Sequence, residues 1–280
     1  MIVVTGATGN VGRLLVESLT ESGHAVTAVS RGVTSPPPSL PGVTPMVADL
    51  ADADSLAPAL KGADALFLLV SGAGAHVDGE AVLQTAVDAG IKRVVLQSSQ
   101  AAGTRPSAVS HAPLAALEET VRSSGLEWTV LRPGGFTTNT FAWIPSIRAQ
   151  RKVFSPFGDV ALPAVDPLDI AEVAAAALTE HSHAGRTYVL TGPEATSPRQ
   201  RAEFLAAALG EPLEFVELGR EQARQQMLQL MPEPVADGTL AILGEPLPEE
   251  VRISPDVEKV LDRPATSFAS WASRNADAFR

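Results

Sequence analysis

Three glycines spaced three residues apart follow directly on a short apolar stretch near the start of the chain. Ile2-Val3-Val4 predicts a buried strand, and the glycines at 6, 9 and 12 lead from it into a helical pattern that ends near Gly23. At such a turn, glycine permits a tight bend, close approach of the backbone to a pyrophosphate, and close packing of helix on strand. A plain strand-to-helix turn also favours glycine, and the spacing is one residue longer than in the commonest dinucleotide fingerprint.

The same alternation of strand and helix repeats along the first half of the chain. Apolar stretches predict further strands at 25–30, 43–48, 65–70, 93–97 and 128–131, with helices at 54–60, 79–89 and 113–123. Strands that are apolar throughout and separated by helices indicate a parallel sheet covered on both faces. Because the glycine triplet lies in the first unit of this pattern, nucleotide binding is the favoured interpretation of the turn.

The alternation becomes looser after Pro133. Helices are predicted at 138–150, 168–179, 199–209 and 220–230, with strands at 186–190 and 213–217. The predicted fold class is therefore α/β, a Rossmann-type doubly wound parallel sheet with a smaller C-terminal α+β substrate cap. We assign 1–135 to the NAD(P)-binding domain, whose strands and helices return in about 160–195, and 136–280 mainly to the substrate-binding cap.

Composition excludes several functional classes. A formal charge of -11 over 280 residues argues against a nucleic-acid surface, which needs a basic stripe. The sequence has no cysteine, so disulfides and thiolate metal sites are excluded, and the His181-x-His183 pair lacks neighbours that would complete a metal site. No stretch approaches the roughly 20 apolar residues that cross a bilayer, and no signal-peptide pattern is present. We expect a cytoplasmic protein without a metal or membrane partner.

The end of the second predicted strand indicates which dinucleotide is bound. An acidic side chain there would accept hydrogen bonds from the ribose of NAD, whereas a basic one would pair with the 2′-phosphate of NADP. This chain has Ser30-Arg31, and a guanidinium suits a phosphate better than a ribose diol. A solvated arginine at a strand end is the alternative. Asp49, which ends the third strand, is placed to reach the adenine or to cap the following helix.

Several longer stretches together resemble one family, the NmrA-like members of the atypical short-chain dehydrogenase/reductases. They are VTGATGNVG at 4–12, AVSRG at 28–32, VADL at 47–50, DAGIKRVVLQSSQ at 88–100, SGLEWTVLRPGGFTTN at 124–139 and DPLDIAEVAAAALTE at 166–180. The C-terminal segment is similar as well, so the likeness spans essentially the whole chain. The family includes NADPH-dependent quinone and azo-dye reductases, isoflavone-reductase-type enzymes, and dinucleotide-binding redox sensors without turnover.

The resemblance implies a cofactor role for each matching residue. The residues that would hold the pyrophosphate are Gly6, Thr8, Gly9, Asn10, Val11 and Gly12. Arg31, preceded by Ser30, would contact the 2′-phosphate, and Asp49 with Leu50 the adenine. The residues nearer the nicotinamide would be Ser71 and Gly72 along the ribose, Ser98 and Ser99 beside the nicotinamide, and Pro133 and Phe136 where nicotinamide meets substrate. NADP(H) is the preferred cofactor on this basis, with NAD(H) as the second.

The chain departs from the typical short-chain dehydrogenase pattern at the catalytic pair. A Tyr-x-x-x-Lys pair normally exchanges a proton with a carbonyl oxygen, because the lysine lowers the pKa of the tyrosine. Alignment from Glu118 places Ser110 and Leu114 at those two positions. The single tyrosine, Tyr188, is followed four residues later by Gly192. A tyrosine-dependent alcohol dehydrogenase is therefore not expected.

Few side chains remain as candidates for acid or base. His111 is the best of them because imidazole titrates near neutrality, although a plain position at a helix start is also open. Ser99, like Ser98, is a candidate donor to a substrate oxygen or to the carboxamide of the cofactor. Asp166 and Asp169 are interpreted first as capping residues of the helix that follows, and second as substrate contacts.

The missing pair narrows the acceptors to molecules that need no strong protein acid. A quinone or another conjugated acceptor takes a hydride readily when an apolar pocket aligns it with the nicotinamide. Phe136, Phe141 and Trp143 are predicted to line that pocket, with packing inside the cap as the alternative. The first hypothesis is an NADPH-dependent quinone reductase, monomeric or homodimeric. The alternatives are a non-catalytic NADP(H)-binding redox sensor and a tailoring reductase of secondary metabolism.

Overall fold

A seven-stranded parallel sheet forms the centre of the protein. The structure is a computed structural model that describes residues 1–32, 40–70, 72 and 74–280. The strands are β1 (Ile2–Val4), β2 (Val26–Ser30), β3 (Val43–Val47), β4 (Ala65–Leu69), β5 (Arg93–Gln97), β6 (Glu127–Pro133), β7 (Lys152–Pro156), β8 (Arg186–Leu190) and β9 (Glu214–Leu218). The order in the main sheet is β3-β2-β1-β4-β5-β6-β8. The order reverses direction between β1 and β4, and open parallel sheets bind ligands at such a point, beyond the carboxyl ends of their strands.

Helices cover this sheet and outnumber the strands in the second half of the chain. They are α1 (Gly12–Glu21), α2 (Ala57–Leu60), α3 (Gly79–Asp88), α4 (Gln100–Thr104), α5 (Ala112–Ser123), α6 (Ile144–Gln150), α7 (Pro167–Thr179), α8 (Pro198–Leu209), α9 (Arg220–Met227), α10 (Glu233–Gly244), α11 (Asp256–Leu261) and α12 (Phe268–Asn275). The predicted Rossmann-type α/β fold is confirmed, since parallel strands alternate with helices through β6.

Two apolar cores lie on opposite faces of the main sheet. Adjacent residues of a strand point to opposite faces, so Val4 joins the core under α1 and α7 while Val3 joins the core under α2, α3 and α5. Both side chains are fully buried. Burial on both faces explains why these strands are apolar at every position rather than at alternate ones.

The cap has its own small sheet and an aromatic core. β7 pairs with β9 in parallel, and α8 and α12 pack beside them. The core residues include Ile147, Val153, Leu205, Phe268, Trp271 and Phe279. The helix predicted at 138–150 is wrong in its first half, where Thr137–Trp143 forms a 3-10 helix. Pro145 explains the difference, because proline is tolerated only in the first turn of an α-helix, and α6 begins at Ile144.

Two buried aspartates tie the C-terminal segment to the main sheet. Asp166 accepts a hydrogen bond from the backbone of Leu168 at the start of α7 and also pairs with Arg274, so the capping prediction is confirmed for this residue. Asp169 is fully buried and accepts from the backbone N–H of Thr266 at 2.7 Å and from Arg263 at 2.8 Å. The capping interpretation is wrong for Asp169, which anchors a segment about 100 residues further along the chain.

Strand β8 returns to the main sheet after the first cap elements. It pairs with β6 in parallel, and Leu190 lies beside Pro133. The chain therefore crosses between the cap and the sheet more than once, and the division at residue 135 stays a prediction.

Candidate dinucleotide site

The first turn can be formed only with glycine at two of its three glycine positions. Gly6 has a φ of +63°, a left-handed conformation that side chains rarely adopt, and a Cβ there would lie 2.9 Å from Leu69 Cδ2. A Cβ on Gly12 would lie 2.1 Å from the carbonyl oxygen of Gly6. Gly9 donates its N–H to that same carbonyl at 2.9 Å. The triplet thus produces a tight turn and brings α1 against the end of β1.

Thr5 holds this turn at the carboxyl edge of the sheet. Its buried hydroxyl donates to the carbonyl of Phe67 at 3.1 Å and accepts from the N–H of Leu69 at 2.8 Å. These bonds join the carboxyl ends of β1 and β4, the strands between which the sheet order reverses. The turn therefore lies at the crevice where an open α/β sheet binds its ligand.

The beginning of α1 fits a pyrophosphate. Its N-cap residue, Val11, makes no side-chain capping bond, so the first N–H groups of the helix are free of side-chain acceptors. The first turn of the helix holds no acidic residue. Gly9 and Asn10 are exposed and Thr8 is half-buried, whereas Val11 and Gly12 are buried. Free N–H groups and the positive end of the helix dipole favour a phosphate here, and its contact with residues 8–10 stays a prediction.

Asn10 also connects the turn to the chain that follows β6. Its Nδ2 donates to the hydroxyl of Thr138 at 3.3 Å. This is a direct contact between the predicted pyrophosphate turn and the 3-10 segment of the cap. Sequence reasoning did not foresee it, because the two residues are 128 positions apart.

The predicted adenine end lies beyond β2 and β3. Arg31 is exposed, and Ser30, which is 9% exposed, donates to the carbonyl of Gly32 at 3.4 Å. Asp49 accepts from the N–H of Ala51 at 3.1 Å. An N-cap role for Asp49 is wrong, since Asp52 occupies the N-cap position of the 3-10 helix at Ala53–Leu56.

The other predicted residues of this edge differ in their surroundings. Leu50 packs half-buried against the core under α2 and α3. Gly72 is exposed with a φ of +67°. Ser71 lies outside the described residues, as does the proline loop at 36–38. The contacts of all these residues with a cofactor stay predictions.

Ser98 and Ser99, at the nicotinamide end, have different partners. Ser98 is buried, and its hydroxyl donates to Glu118 at 2.6 Å. Ser99 is half-buried and caps α4 by accepting from the N–H of Ala101 at 3.2 Å. The proton of Ser98 is therefore committed to a carboxylate, whereas the hydroxyl of Ser99 retains its own proton for a further acceptor.

Glu118 forms a buried charged cluster that sequence reasoning did not assign. Arg132 donates to its carboxylate from Nε at 3.0 Å and from Nη2 at 2.6 Å, and Arg122 donates at 2.7 Å. Burial would raise the pKa of Glu118, but the hydrogen bonds from Arg132, Ser98 and Arg122 outweigh it and hold the pKa below the ordinary range. Glu118 stays ionised and fixes Ser98. The four-residue spacing of Glu118 and Arg122 was the available sequence signal.

His111 lies half-buried at the N-cap position of α5, without a capping bond from its side chain. Its Nε2 is buried and has no hydrogen-bond partner among the described residues. Burial, assisted by the charge of Arg105, lowers the pKa of His111, and Glu250 opposes this in part. The imidazole is therefore neutral at pH 7. The neighbouring positions of the missing catalytic pair, Ser110 and Leu114, are both buried.

The predicted pocket residues lie along the junction of sheet and cap. Pro133 is buried at the end of β6, and half-buried Phe136 packs against the core under α1 and α7. Phe141 packs against Trp271 and Phe279, with ring centroids 5.2 and 5.7 Å apart, and Trp143 packs against the same cap core. These contacts are those of the packing alternative, and pocket lining stays a prediction.

The two late histidines have protein partners. His181 Nδ1 lies 3.0 Å from Glu127, at the amino end of β6, and His183 Nδ1 lies 2.8 Å from the hydroxyl of Tyr188. Within 1–32, 40–70, 72 and 74–280, no group of three or more side chains is arranged to hold a metal ion. No helix in this part of the chain is long and apolar enough to cross a membrane.

The fold and the first turn together define a dinucleotide-binding protein of the Rossmann type. The chain matches the NAD(P)H-binding family over residues 6–181 and belongs to that family. The resemblance to NmrA-like reductases that the motifs indicate is thereby confirmed, and the cofactor is NAD(P)(H).

Relatives of known activity are similar over their full length. A (4-alkanoyl-5-oxo-2,5-dihydrofuran-3-yl)methyl phosphate reductase from Streptomyces griseus is 36% identical, over 100% of this chain and 99% of its own. An NAD(P)H azoreductase from Xenophilus azovorans is 32% identical, over 100% and 99%. The crystal structure of an Escherichia coli NADPH-dependent quinone oxidoreductase complexed with NADPH has a TM-score of 0.80 at 25% identity, covering 98% of this chain and 99% of that one. The protein is an NAD(P)H-dependent oxidoreductase.

Proposed function

We propose that this protein is an NADPH-dependent reductase whose acceptor is a quinone or a similar electron-poor conjugated molecule. The observation that carries the proposal is the composition of the nicotinamide end. The alignment from Glu118 assigns Ser110 and Leu114, both buried, to the positions where a tyrosine and a lysine would protonate a carbonyl oxygen. An acceptor whose reduced anion is stabilised by conjugation takes its proton from water and does not need that pair.

The relatives support this class of acceptor. Their names specify an unsaturated lactone with an acyl substituent, an azo compound and a quinone. Each of these is a conjugated, electron-poor group that accepts a hydride. A tailoring reductase of secondary metabolism would differ from the proposed enzyme in its acceptor alone.

The residues of this chain would bind and orient the two reactants. The bound nicotinamide supplies a hydride, which carries two electrons to the acceptor, and the resulting anion takes up one proton. The turn at 6–12 would hold the pyrophosphate, and the hydroxyl of Ser99 would donate to an acceptor oxygen. Pro133 and Phe136 would border the pocket, with Phe141 and Trp143 closing it on the cap side. Such an arrangement accelerates hydride transfer through proximity and orientation.

His111 is the proposed proton donor where an acceptor needs one. In the tautomer with its proton on Nε2, the neutral imidazole would donate this N–H to a substrate oxygen, because no described residue bonds to Nε2. Replacing His111 by glutamine should lower kcat for an acceptor that needs a protein acid and leave quinone reduction within about threefold, since the contribution of a general acid is otherwise about 10²- to 10⁴-fold.

The preference for NADPH over NADH is assigned to Arg31. Its exposed guanidinium would pair with the 2′-phosphate, and a charge-assisted bond of this kind contributes about 1.5–3 kcal/mol. Arg31→Glu should weaken NADPH binding by about ten- to a hundredfold, with NADH little affected or improved. Arg186→Glu is the matched control, because Arg186 is exposed at the amino end of β8, away from the carboxyl edge. An unchanged NADPH preference in Arg31→Glu would refute this assignment.

Turnover is tested by following NADPH oxidation with a panel of quinones, azo dyes and unsaturated lactones. Steady oxidation with at least one class supports the reductase. Tight NADPH binding without oxidation by any acceptor would overturn it and favour the redox sensor, for which the affinities for NADPH and NADP⁺ should differ. We further propose that the protein is cytoplasmic and either a monomer or a homodimer. Light scattering would distinguish the monomer from the homodimer by molar mass.

A further inference from the structure

Helix α10 is held in close contact with both halves of the molecule. A Cβ on Gly238, in the middle of α10, would lie 2.5 Å from the hydroxyl oxygen of Ser110. A Cβ on Gly244, the last residue of α10, would lie 2.6 Å from the ring of Phe157 in the cap. Glycine within a helix is less favourable than alanine, so its presence at Gly238 reflects the close approach to Ser110.

His111 lies beside this contact. Its Nε2 is 4.0 Å from the Cβ position of Gly238, is buried, and has no hydrogen-bond partner in the described part of the chain. A buried polar atom without a partner carries a free-energy cost. A ligand that donates to or accepts from this nitrogen would recover that cost, and α10 lies directly beside the nitrogen at Gly238.

The segment after α10 is fastened to α4 by one buried carboxylate. Glu250 is 2% exposed and accepts from Arg105 through both of its oxygens, from Nε to Oε1 at 2.8 Å and from Nη2 to Oε2 at 2.8 Å. The hydroxyl of Thr104 donates to Oε1 at 2.8 Å, and the N–H of Leu247 donates to Oε2 at 2.9 Å. A bidentate, buried pair of this kind fixes the geometry of both partners.

Two backbone contacts continue the same attachment. Arg105 Nη2 also donates to the carbonyl of Glu245, directly after α10, at 2.9 Å. Gln100, in α4, donates to the carbonyl of Glu249 at 3.1 Å. In the first half of α10, Asp237 pairs with Arg224 of α9 at 2.7 Å, so α9 and α10 form one unit.

We infer that α10 is a cover over His111 and that Glu250 is the residue that positions this cover, by holding the end of α10 on Arg105. Glu250 is a positioning residue, since it acts on the site through α10. The inference deepens the proposed reductase site, because it makes passage beneath α10 the step that selects which acceptor oxygen reaches His111.

The reactivity of His111 toward diethylpyrocarbonate tests this inference without requiring turnover. The reagent acylates accessible neutral imidazoles, and trypsin releases His111 as the only histidine in the peptide 94–122, since the bond between Arg105 and Pro106 resists cleavage. Exposed His76 falls in a separate peptide, 62–92, and serves as the internal reference. The variants are Glu250→Gln and, as an independent disturbance of the same cover, Gly238→Ala. Glu249→Gln is the matched control because this side chain is exposed, one residue away.

In the wild type and in Glu249→Gln, His111 should react much more slowly than exposed His76. In Glu250→Gln and Gly238→Ala, the ratio of His111 to His76 labelling should rise by about tenfold or more. Glu250→Gln removes one partner of a buried ion pair, and the added Cβ of Gly238→Ala clashes with Ser110 and displaces α10. Fast labelling of His111 in the wild type would overturn the inference. So would an unchanged ratio in Gly238→Ala, which remains informative even where Glu250→Gln does not fold. Neither result bears on whether NADPH is oxidised, so the reductase proposal is judged separately.

Discussion

Replacing Gly12 by alanine would separate the packing of α1 from its role at the pyrophosphate. The new Cβ would lie 2.1 Å from the carbonyl oxygen of Gly6 and 3.0 Å from Ala7 Cα. Because ordinary contacts of a Cβ begin near 3.4 Å, the start of α1 must move away from the turn by about 1 Å. The N–H groups that face the predicted pyrophosphate would move with it.

The expected magnitudes differ for stability and for binding. Overpacking costs about 1–3 kcal/mol, and the better helix propensity of alanine returns about 1 kcal/mol, so the free energy of unfolding falls by about 0–2 kcal/mol. For a chain of this size, Tm should decrease by no more than about 4 °C. Loss of one hydrogen bond to a charged phosphate costs about 1.5–3 kcal/mol, which raises Kd for NADPH about ten- to a hundredfold.

NADPH fluorescence titration gives Kd, and a thermal melt of the same sample gives Tm. Gly219→Ala is the matched control, since its Cβ would meet only Gln222 Oε1 at 3.6 Å, outside the turn. An unchanged Kd in a folded Gly12→Ala protein would show that the glycine-rich turn does not hold the dinucleotide, despite its geometry.

Three further predictions concern the buried charges near the site. Glu118→Gln should lower the free energy of unfolding by about 2–4 kcal/mol, measured by urea unfolding, because Arg122 and Arg132 lose their charged partner. The matched control is Glu119→Gln, which should change the free energy of unfolding by under about 1 kcal/mol because Glu119 is exposed. The pKa of Glu118 is depressed in the folded state, so its contribution is complete above the ordinary glutamate pKa of about 4.3 and is lost as pH falls through the folded value. Stability of the wild type should therefore fall more steeply with acid than that of Glu118→Gln, and parallel curves would contradict the assigned pairing. Asp169→Asn should cost about 1–3 kcal/mol and expose the C-terminal segment to limited proteolysis, since Thr266 and Arg263 lose an ionised acceptor.

The strands and helices of the main sheet were predicted because each of them carries its own signal in the sequence. Strands buried on both faces are apolar at every position, and each helix between them shows its own spacing and end signals, so β1 to β6 and α1, α3, α5 and α7 were all foreseen within a few residues. The elements not foreseen were α4, β7, α10, α11 and α12. These are short or contain glycine, and they form because tertiary contacts stabilise them.

The candidate site was likewise predicted only in part. Gly6, Gly9 and Gly12 were recognised as a turn because a turn restricts residue types at a fixed spacing, whereas the role assigned to Arg31 stays a prediction. The partner of Ser98 and the orphan nitrogen of His111 were not recognised, because each depends on what packs beside it. The placement of Phe141 among the cap aromatics likewise follows from residues far away in the sequence.

The amino-acid sequence by itself determined that this protein folds around a parallel sheet with a dinucleotide turn, and that the usual tyrosine and lysine are missing. The tertiary structure alone decided which charges are buried together. Glu250 meets Arg105 across 145 positions, and Asp169 meets Thr266 across 97. Such pairs leave no periodic trace, because a single buried contact needs only one residue from each segment and the fold must first bring the segments together.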